Sequence, residues 1–257
     1  MKPNYSRISD FPGRLIILEG SDGSGKSTQA KKLKKRLKED GQIAVIVSWK
    51  DAPHFREYFE QHDTKKAGEA ASPEAHLFLQ VADLLYQIER KVVPNLLKGH
   101  TVIMDRSIPT IVIRGLNLGH TIEQLETGLL WFTHTIYRDL FAKATTIFLS
   151  VSAKKSLERI TKRGKKEGEE TGEGTLLSLQ MLQNLTYMPD GEKLTKSAKR
   201  RLVEKLQETY ITSYKHYFTH HKALIIDANQ SKKDVSNDVF RALFHETVRF
   251  PKNKMVK

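Results

Sequence analysis

The sequence predicts an α/β fold, a doubly wound parallel five-stranded sheet flanked by helices. Three observations carry that expectation. Short apolar, β-branched runs recur at 14–19, 42–49, 100–107, 144–152 and 223–227, with helical spacing between them. Within the first run Leu15–Leu18 are all apolar, as a strand covered on both faces must be. It also leads straight into a glycine-rich loop and then a helix, the order in which parallel sheets present anion-binding loops.

The elements follow in chain order. After the loop, Ala30, Leu33 and Leu37 share one face of a helix beginning at Lys26, with lysines opposite and Gly41 as the stop. "QIAVIVSW" (Gln42–Trp49) reads as the second strand and residues 51–72 as a polar, irregular connection. Helical spacing over 74–98 carries Leu77, Val81, Leu84, Leu85, Ile88 and Val92, and Pro94 either kinks that helix or starts its last turn. "HTVIMDRS" (His100–Ser107) is a third strand ending in a carboxylate. A helix over 121–141 is apolar on two sides, so it is central or covered by a partner. "ATTIFLSVS" (Ala144–Ser152) is the fourth strand, and a basic helix starts at 154–163. The charged, glycine-rich "RGKKEGEETGEGT" has no core-forming pattern and is expected to be mobile. A short helix at 176–186, a turn at Pro189–Gly191, a long helix at 197–218, the strand "ALIID" (Ala223–Asp227) and a helix at 232–247 complete the chain.

Residues 1–13 read as a flexible arm, 14–247 as one domain and 248–257 as a basic tail. The chain has 257 residues and no cysteine, so disulfides and thiolate metal sites are excluded. No apolar run reaches the ~18 residues of a membrane span, and the N-terminus lacks a signal-peptide pattern. A cytoplasmic protein without membrane contact is expected. The net charge of +13 has three readings: nucleic acid binding, a phosphate-crowded site, or solvated helix faces. No basic run is interleaved with aromatics, so nucleic acid is not the favoured partner.

Gly20-Ser21-Asp22-Gly23-Ser24-Gly25-Lys26-Ser27, followed by Thr28, matches the phosphate-loop pattern G-x-x-x-x-G-K-[ST]. Its glycines let backbone N–H groups converge on phosphate oxygens, and the helix N-terminus adds its dipole. Lys26 is placed to reach β- and γ-phosphates and Ser27 to ligate Mg²⁺. Asp105, ending the third strand, would hold Mg²⁺ through water or orient Ser27; alternatively it caps the next turn. Asp22 is a carboxylate inside an anion site, which requires its side chain to point away from the donor phosphates.

"LEGSDGSGKSTQA" with "VIMDR" resembles thymidylate kinase and related deoxynucleoside monophosphate kinases. "IFLSVSAKKSLERITKRG" is similar to that family's fourth strand, helix and start of a mobile lid, and "ALIIDANQSKKDV" to its last strand and the loop that holds the donor adenine. The resemblance implies a P-loop NTPase fold of nucleoside monophosphate kinase type, a lid at about 159–175, and ATP and Mg²⁺ as cofactors. It implies nucleotide substrates, a homodimer formed by helix packing, and phosphoryl transfer to a nucleotide monophosphate. Asp22 matches the residue that contacts the acceptor sugar, and Arg106 matches the arginine that binds the acceptor phosphate. Arg163, or else Arg159, matches the lid cation, since position 23 is glycine where one subgroup keeps an arginine.

The departures lie on the acceptor side. Gln80 stands where the family stacks a phenylalanine on the base, and Leu84 where it places a base-binding arginine. Ser107, Thr110, Arg114 and Gly115 replace Tyr, Ser, Tyr and Gln, and "EGEE" (Glu167–Glu170) replaces an arginine-bearing lid motif. An extra segment at about 172–196 lengthens the connection to the next helix by about 25 residues. Two enzymatic readings are open at this point: a thymidylate-kinase-like enzyme, or a kinase acting on a nucleoside, a polynucleotide end or a small phosphorylated metabolite. A non-catalytic nucleotide-binding protein is disfavoured by Lys26, Ser27 and Asp105.

Overall fold

A computed structural model describes residues 11–48, 72–131, 137–166 and 196–244. The expected connection at 51–71, the lid beyond 166, the helix at 176–186 and the Pro189–Gly191 turn lie outside the described residues, as do 1–10 and 245–257. Five parallel strands form one sheet: β1 (Arg14–Glu19), β2 (Ala44–Ser48), β3 (Thr101–Asp105), β4 (Thr145–Ser150) and β5 (Leu224–Asp227). Their order is β2-β3-β1-β4-β5. Leu15 pairs with Val102 of β3, and Leu18 with Ile147 of β4, so β1 is hydrogen-bonded on both edges. The chain reaches β3 on one side of β1, then crosses to β4 on the other. This reversal opens a crevice at the carboxyl ends of the strands.

Alternation along β1 sends its side chains into two separate cores. Leu15 and Ile17 pack with Leu77, Val81, Ile111 and Phe148 on one face; Ile16 and Leu18 pack with Ala30, Leu33, Leu37 and Val235 on the other. The first core is covered by α2 (Pro73–Gln87), α3 (Val93–Leu97), α4 (Ile108–Asn117) and α7 (Lys196–His220). The second is covered by α1 (Lys26–Glu39) and α8 (Lys232–Phe244). Two further helices, α5 (Arg138–Ala142) and α6 (Ala153–Lys166), flank β4 in sequence.

The helix expected over 74–98 forms with a π-helical turn, Ile88–Val92, in which Val93 N donates to Ile88 O. Pro94 lacks an N–H and its ring crowds the preceding turn; the wider turn accommodates it, and Pro94 opens α3. Two features depart from the sequence reading. Helix α4 was not expected: "IPTIVIRGLN" is rich in β-branched residues, and only Thr110, Arg114 and Asn117 mark a narrow polar face. Pro109 in its first turn is the signal that could have revealed it. In the helix expected over 121–141, the described residues show a π-helical turn at Gln124–Leu129, a bend at Leu130 and α5 from Arg138, and 132–136 lie outside the described residues. Gly128 weakens the helix there, and the break lets Leu125, Leu130, Tyr137 and Leu140 all turn inward.

The approach to β1 is close-packed. Phe11 packs against the first core, and Gly13 N donates to Leu96 O at 3.0 Å. A Cβ at Gly13 would sit 2.5 Å from His100 O and 2.7 Å from Leu96 Cα, both backbone atoms that cannot rotate aside. Gly13→Ala is therefore expected to lower stability by about 1–3 kcal/mol. Chemical denaturation would measure it, and an unchanged midpoint would refute the close approach.

Candidate active site

The crevice is built on the loop between β1 and α1. Gly20, Ser21, Asp22, Gly23, Ser24 and Gly25 wrap toward the first turn of α1, which carries Lys26, Ser27 and Thr28. Gly23 has φ 76°, and a Cβ there would lie 2.5 Å from Ser156 O. Only glycine satisfies both the left-handed backbone and that approach. Lys26 is buried and folds back over the loop, donating to Gly20 O and Ser21 O at 2.8 Å each. Ser21 Oγ is buried without a hydrogen-bond partner, as suits a loop shaped around a polar ligand.

Ser27 Oγ donates to Asp105 Oδ2 at 2.5 Å, joining the start of α1 to the end of β3. Ser27 is exposed and the two groups offer only oxygen, the donor set that suits Mg²⁺. Among the described residues no cluster of three His, Cys, Asp or Glu side chains could cage a metal. A metal here would share its coordination with ligand phosphates, which is how Mg²⁺ is commonly held.

Arg106 follows Asp105 with φ 79°, the only non-glycine residue at positive φ among those described. Such a backbone is strained and persists only when its surroundings hold it. Here Arg106 N donates to Leu18 O, and its guanidinium pairs with the Asp22 carboxylate. Arg106 Nη1 also reaches Gly20 O at 3.3 Å and Thr110 Oγ1 at 3.4 Å. Asp22 thus turns its side chain toward Arg106, while its carbonyl accepts from Ser156 Oγ. Burial opposes the charge on Arg106, but Asp22, with Tyr214, Asp105 and Glu19, outweighs it and holds the pKa above the ordinary value.

Glu19, which the sequence presents as part of an apolar strand, is fully buried behind this pair. It accepts from Ser107 N at 2.6 Å, Thr110 Oγ1 at 2.7 Å and Tyr214 Oη at 3.2 Å. Burial raises its pKa, opposed by the Thr110 bond and by the charges of Arg106 and Lys26. Tyr214 stacks on Phe148 of β4 at 5.4 Å and is itself pushed upward by burial and then by Glu19. On α7, Gln207 Oε1 lies 3.3 Å from Ser156 Oγ, linking that helix to the loop. Glu19, Tyr214 and Gln207 are functional neighbours that pattern reading missed. The 4-residue spacing of Tyr210 and Tyr214 looks like ordinary core, and only packing shows what their hydroxyls face.

The remaining expected residues divide. Arg159 joins the site, donating from Nη1 to Gly23 O at 3.2 Å and from Nη2 to Ala228 O at 2.8 Å. It ties the loop after β5 to the phosphate loop. The side chain of Arg163 lies outside the described residues. Leu84 does not face the crevice and belongs to the first core. Gln80 is fully buried on α2, and neither polar atom of its carboxamide has a hydrogen-bond partner. That makes it an unusual core residue, since buried amides are nearly always paired.

Burial, and then Arg106, lower the pKa of Lys26 to about 8, against the pull of Asp105, Asp22 and Glu19. The folded value lies below that of an unfolded lysine, so the charged amine opposes folding at neutral pH. That penalty fades as pH rises from about 8 toward 10.5. A polyphosphate against Lys26 restores the charge. Binding of tripolyphosphate near pH 8 is therefore expected to take up protons and to weaken at higher pH. Calorimetry in buffers of different ionisation enthalpy reads this directly, and zero uptake in wild type would contradict it.

The family model for thymidylate kinase matches residues 18–208. The thymidylate kinase of Synechococcus sp. (strain CC9605) is 30% identical over 185 residues, covering 69% of this chain and 85% of that protein. That of Parasynechococcus marenigrum (strain WH8102) is 34% identical over 157 residues, covering 57% and 71%. That of Dinoroseobacter shibae is 37% identical over 95 residues, covering 37% and 46%. A five-stranded parallel sheet with its phosphate loop at the strand reversal, together with a model match over most of its length, establishes that the chain belongs to the thymidylate kinase family.

Proposed function

We propose that the protein transfers the γ-phosphoryl group of ATP, with Mg²⁺, to a nucleoside monophosphate, with dTMP as the expected acceptor. The single observation that carries this reading is the Arg106–Asp22 pair beside the Lys26–Ser27–Asp105 set, two chemistries on opposite sides of one loop. The names of the relatives favour a nucleotide over the other acceptors considered from sequence alone. Ser27 and Asp105 would hold Mg²⁺, which would supply neutralisation of the phosphate charge.

The chain's own part is positional and electrostatic. Loop amides and Lys26 hold the donor phosphates, and Ser27 with Asp105 holds the metal. Arg159, between the phosphate loop and the loop after β5, stands on the donor side. Arg106 binds the acceptor phosphate and Asp22 accepts from a sugar hydroxyl, each leaving the other as the acceptor enters. Transfer forms a bond from an acceptor phosphate oxygen to the γ-phosphorus and releases ADP; Arg163 is the remaining candidate to meet that charge from the lid.

A homodimer is part of the same reading. Phe78 and Tyr86 are exposed on the outer side of α2, 65% and 38% accessible, and their spacing places both on a face turned from the core. Much of the net charge lies elsewhere: Lys31, Lys34, Lys35 and Lys38 are exposed along α1, which supports a solvated face over a nucleic-acid groove.

ADP release with each nucleoside monophosphate tests the activity, and turnover of none of them would sink it. Lys26→Ala is expected to lose about 10²–10³-fold in kcat. Asp22→Asn should raise the acceptor KM about tenfold or more while leaving the KM for ATP nearly unchanged; equal changes in both would contradict the sugar-side role. Sedimentation should give a dimer that Phe78→Glu dissociates, and a wild-type monomer at micromolar concentration would refute the dimer.

A further inference from the structure

The reading above leaves an electrostatic imbalance on the acceptor side. Arg106 is the acceptor-phosphate residue, yet its charge is already matched by Asp22. A phosphate monoester carries about −2 at neutral pH. Approaching a neutralised pair, it would meet little net attraction. A second cation is needed, and the structure supplies one where the family resemblance places a tyrosine.

Arg114 lies on α4, one helical turn beyond Thr110, so the two share a face. Thr110 Oγ1 accepts from Arg106 Nη1 at 3.4 Å and bonds Tyr214 Oη at 2.8 Å. Arg106, Thr110 and Arg114 thus follow at four-residue intervals from the end of β3 to the last turn of α4, which packs against α7. Tyr210 precedes Tyr214 by one turn of α7 and feels the charges of Arg114, Asp22 and Arg106. His76, buried on the facing side of α2, also senses Arg114. Arg114 itself is held below its ordinary pKa by burial and then by Arg106, with Tyr210 and Asp22 opposing. The two guanidinium groups thus repel each other, and the Asp22 carboxylate acts on both. Like charges held together in a partly desolvated site are stabilised by an anion between them.

We propose that Arg114 is the second cation of the acceptor-phosphate site, clamping the dianionic phosphate of the acceptor together with Arg106. The proposal rests on the nucleoside monophosphate reading. Arg114 faces the acceptor rather than the donor because it is grouped with Arg106, Thr110 and Tyr210, whereas Lys26 and Arg159 hold the phosphate loop. Two forks suit a phosphate better than one, since each offers paired N–H donors to separate oxygens.

The test compares dTMP with thymidine, which differ only in the phosphate. Binding of each is measured by calorimetry on wild type, Arg114→Gln and Arg114→Lys. Arg114→Gln is expected to weaken dTMP about tenfold or more, with thymidine affinity and the KM for ATP within about twofold of wild type. Arg114→Lys keeps the charge but not the fork and should fall between. Added salt should weaken dTMP binding less in Arg114→Gln than in wild type. Equal losses for dTMP and thymidine would mark a structural role and overturn the clamp, as would unchanged dTMP affinity. Should Arg114→Gln fail to fold, Arg114→Lys decides by the same selective loss. Wild type that binds no nucleoside monophosphate overturns the functional reading itself, and this is seen before any variant is made.

Discussion

The crevice depends on one buried carboxylate. Glu19 ends β1 beneath the phosphate loop and gathers Ser107 N, Thr110 Oγ1 and Tyr214 Oη around it. An unpaired carboxyl at that depth would be strongly unfavourable, so these donors are constrained to stay. Their positions fix the chain beyond β3 and the face that α7 presents. Arg106 sits between these anchors in a backbone conformation that few residues tolerate. Its strain is sustained because the neighbours on either side cannot relax without stranding Glu19.

Charge is arranged around that anchor in two compartments. On the donor side, Lys26 is curled over loop carbonyls and Arg159 braces the loop from α6. On the acceptor side, Arg106 is held by Asp22, with Arg114 beside it. Lys26 and Arg159 are each held by backbone carbonyls, and Arg106 by a carboxylate. The carboxylate in the anion loop has a visible partner: Asp22 pairs with the Arg106 guanidinium.

The strands and the phosphate loop were legible because their signals are local. Apolar β-branched runs have no stable alternative to burial in a parallel sheet, and the glycine spacing before Lys26 serves a backbone geometry that few other sequences need. Helix α4 was not legible, since its β-branched run favours extended chain and only Thr110, Arg114 and Asn117 mark a polar face. The segment at 121–141 misled for the opposite reason. It has helical periodicity, but the π-helical turn and the bend at Leu130 interrupt it, and Leu125, Leu130, Tyr137 and Leu140 all join the first core.

For this protein the sequence alone determined the sheet, the donor loop with Lys26 and Ser27, and the pairing of Asp105 with Arg106, because each is encoded by residues adjacent in the chain. Tertiary structure decided the acceptor side. Asp22 meets Arg106 across 84 positions, and Glu19 meets Tyr214 across 195. Leu84 is withdrawn into the core while Gln80 stays buried and unpaired beside it. Such contacts depend on how helices pack over the sheet, and a side chain's role there is set by what faces it rather than by its neighbours in sequence.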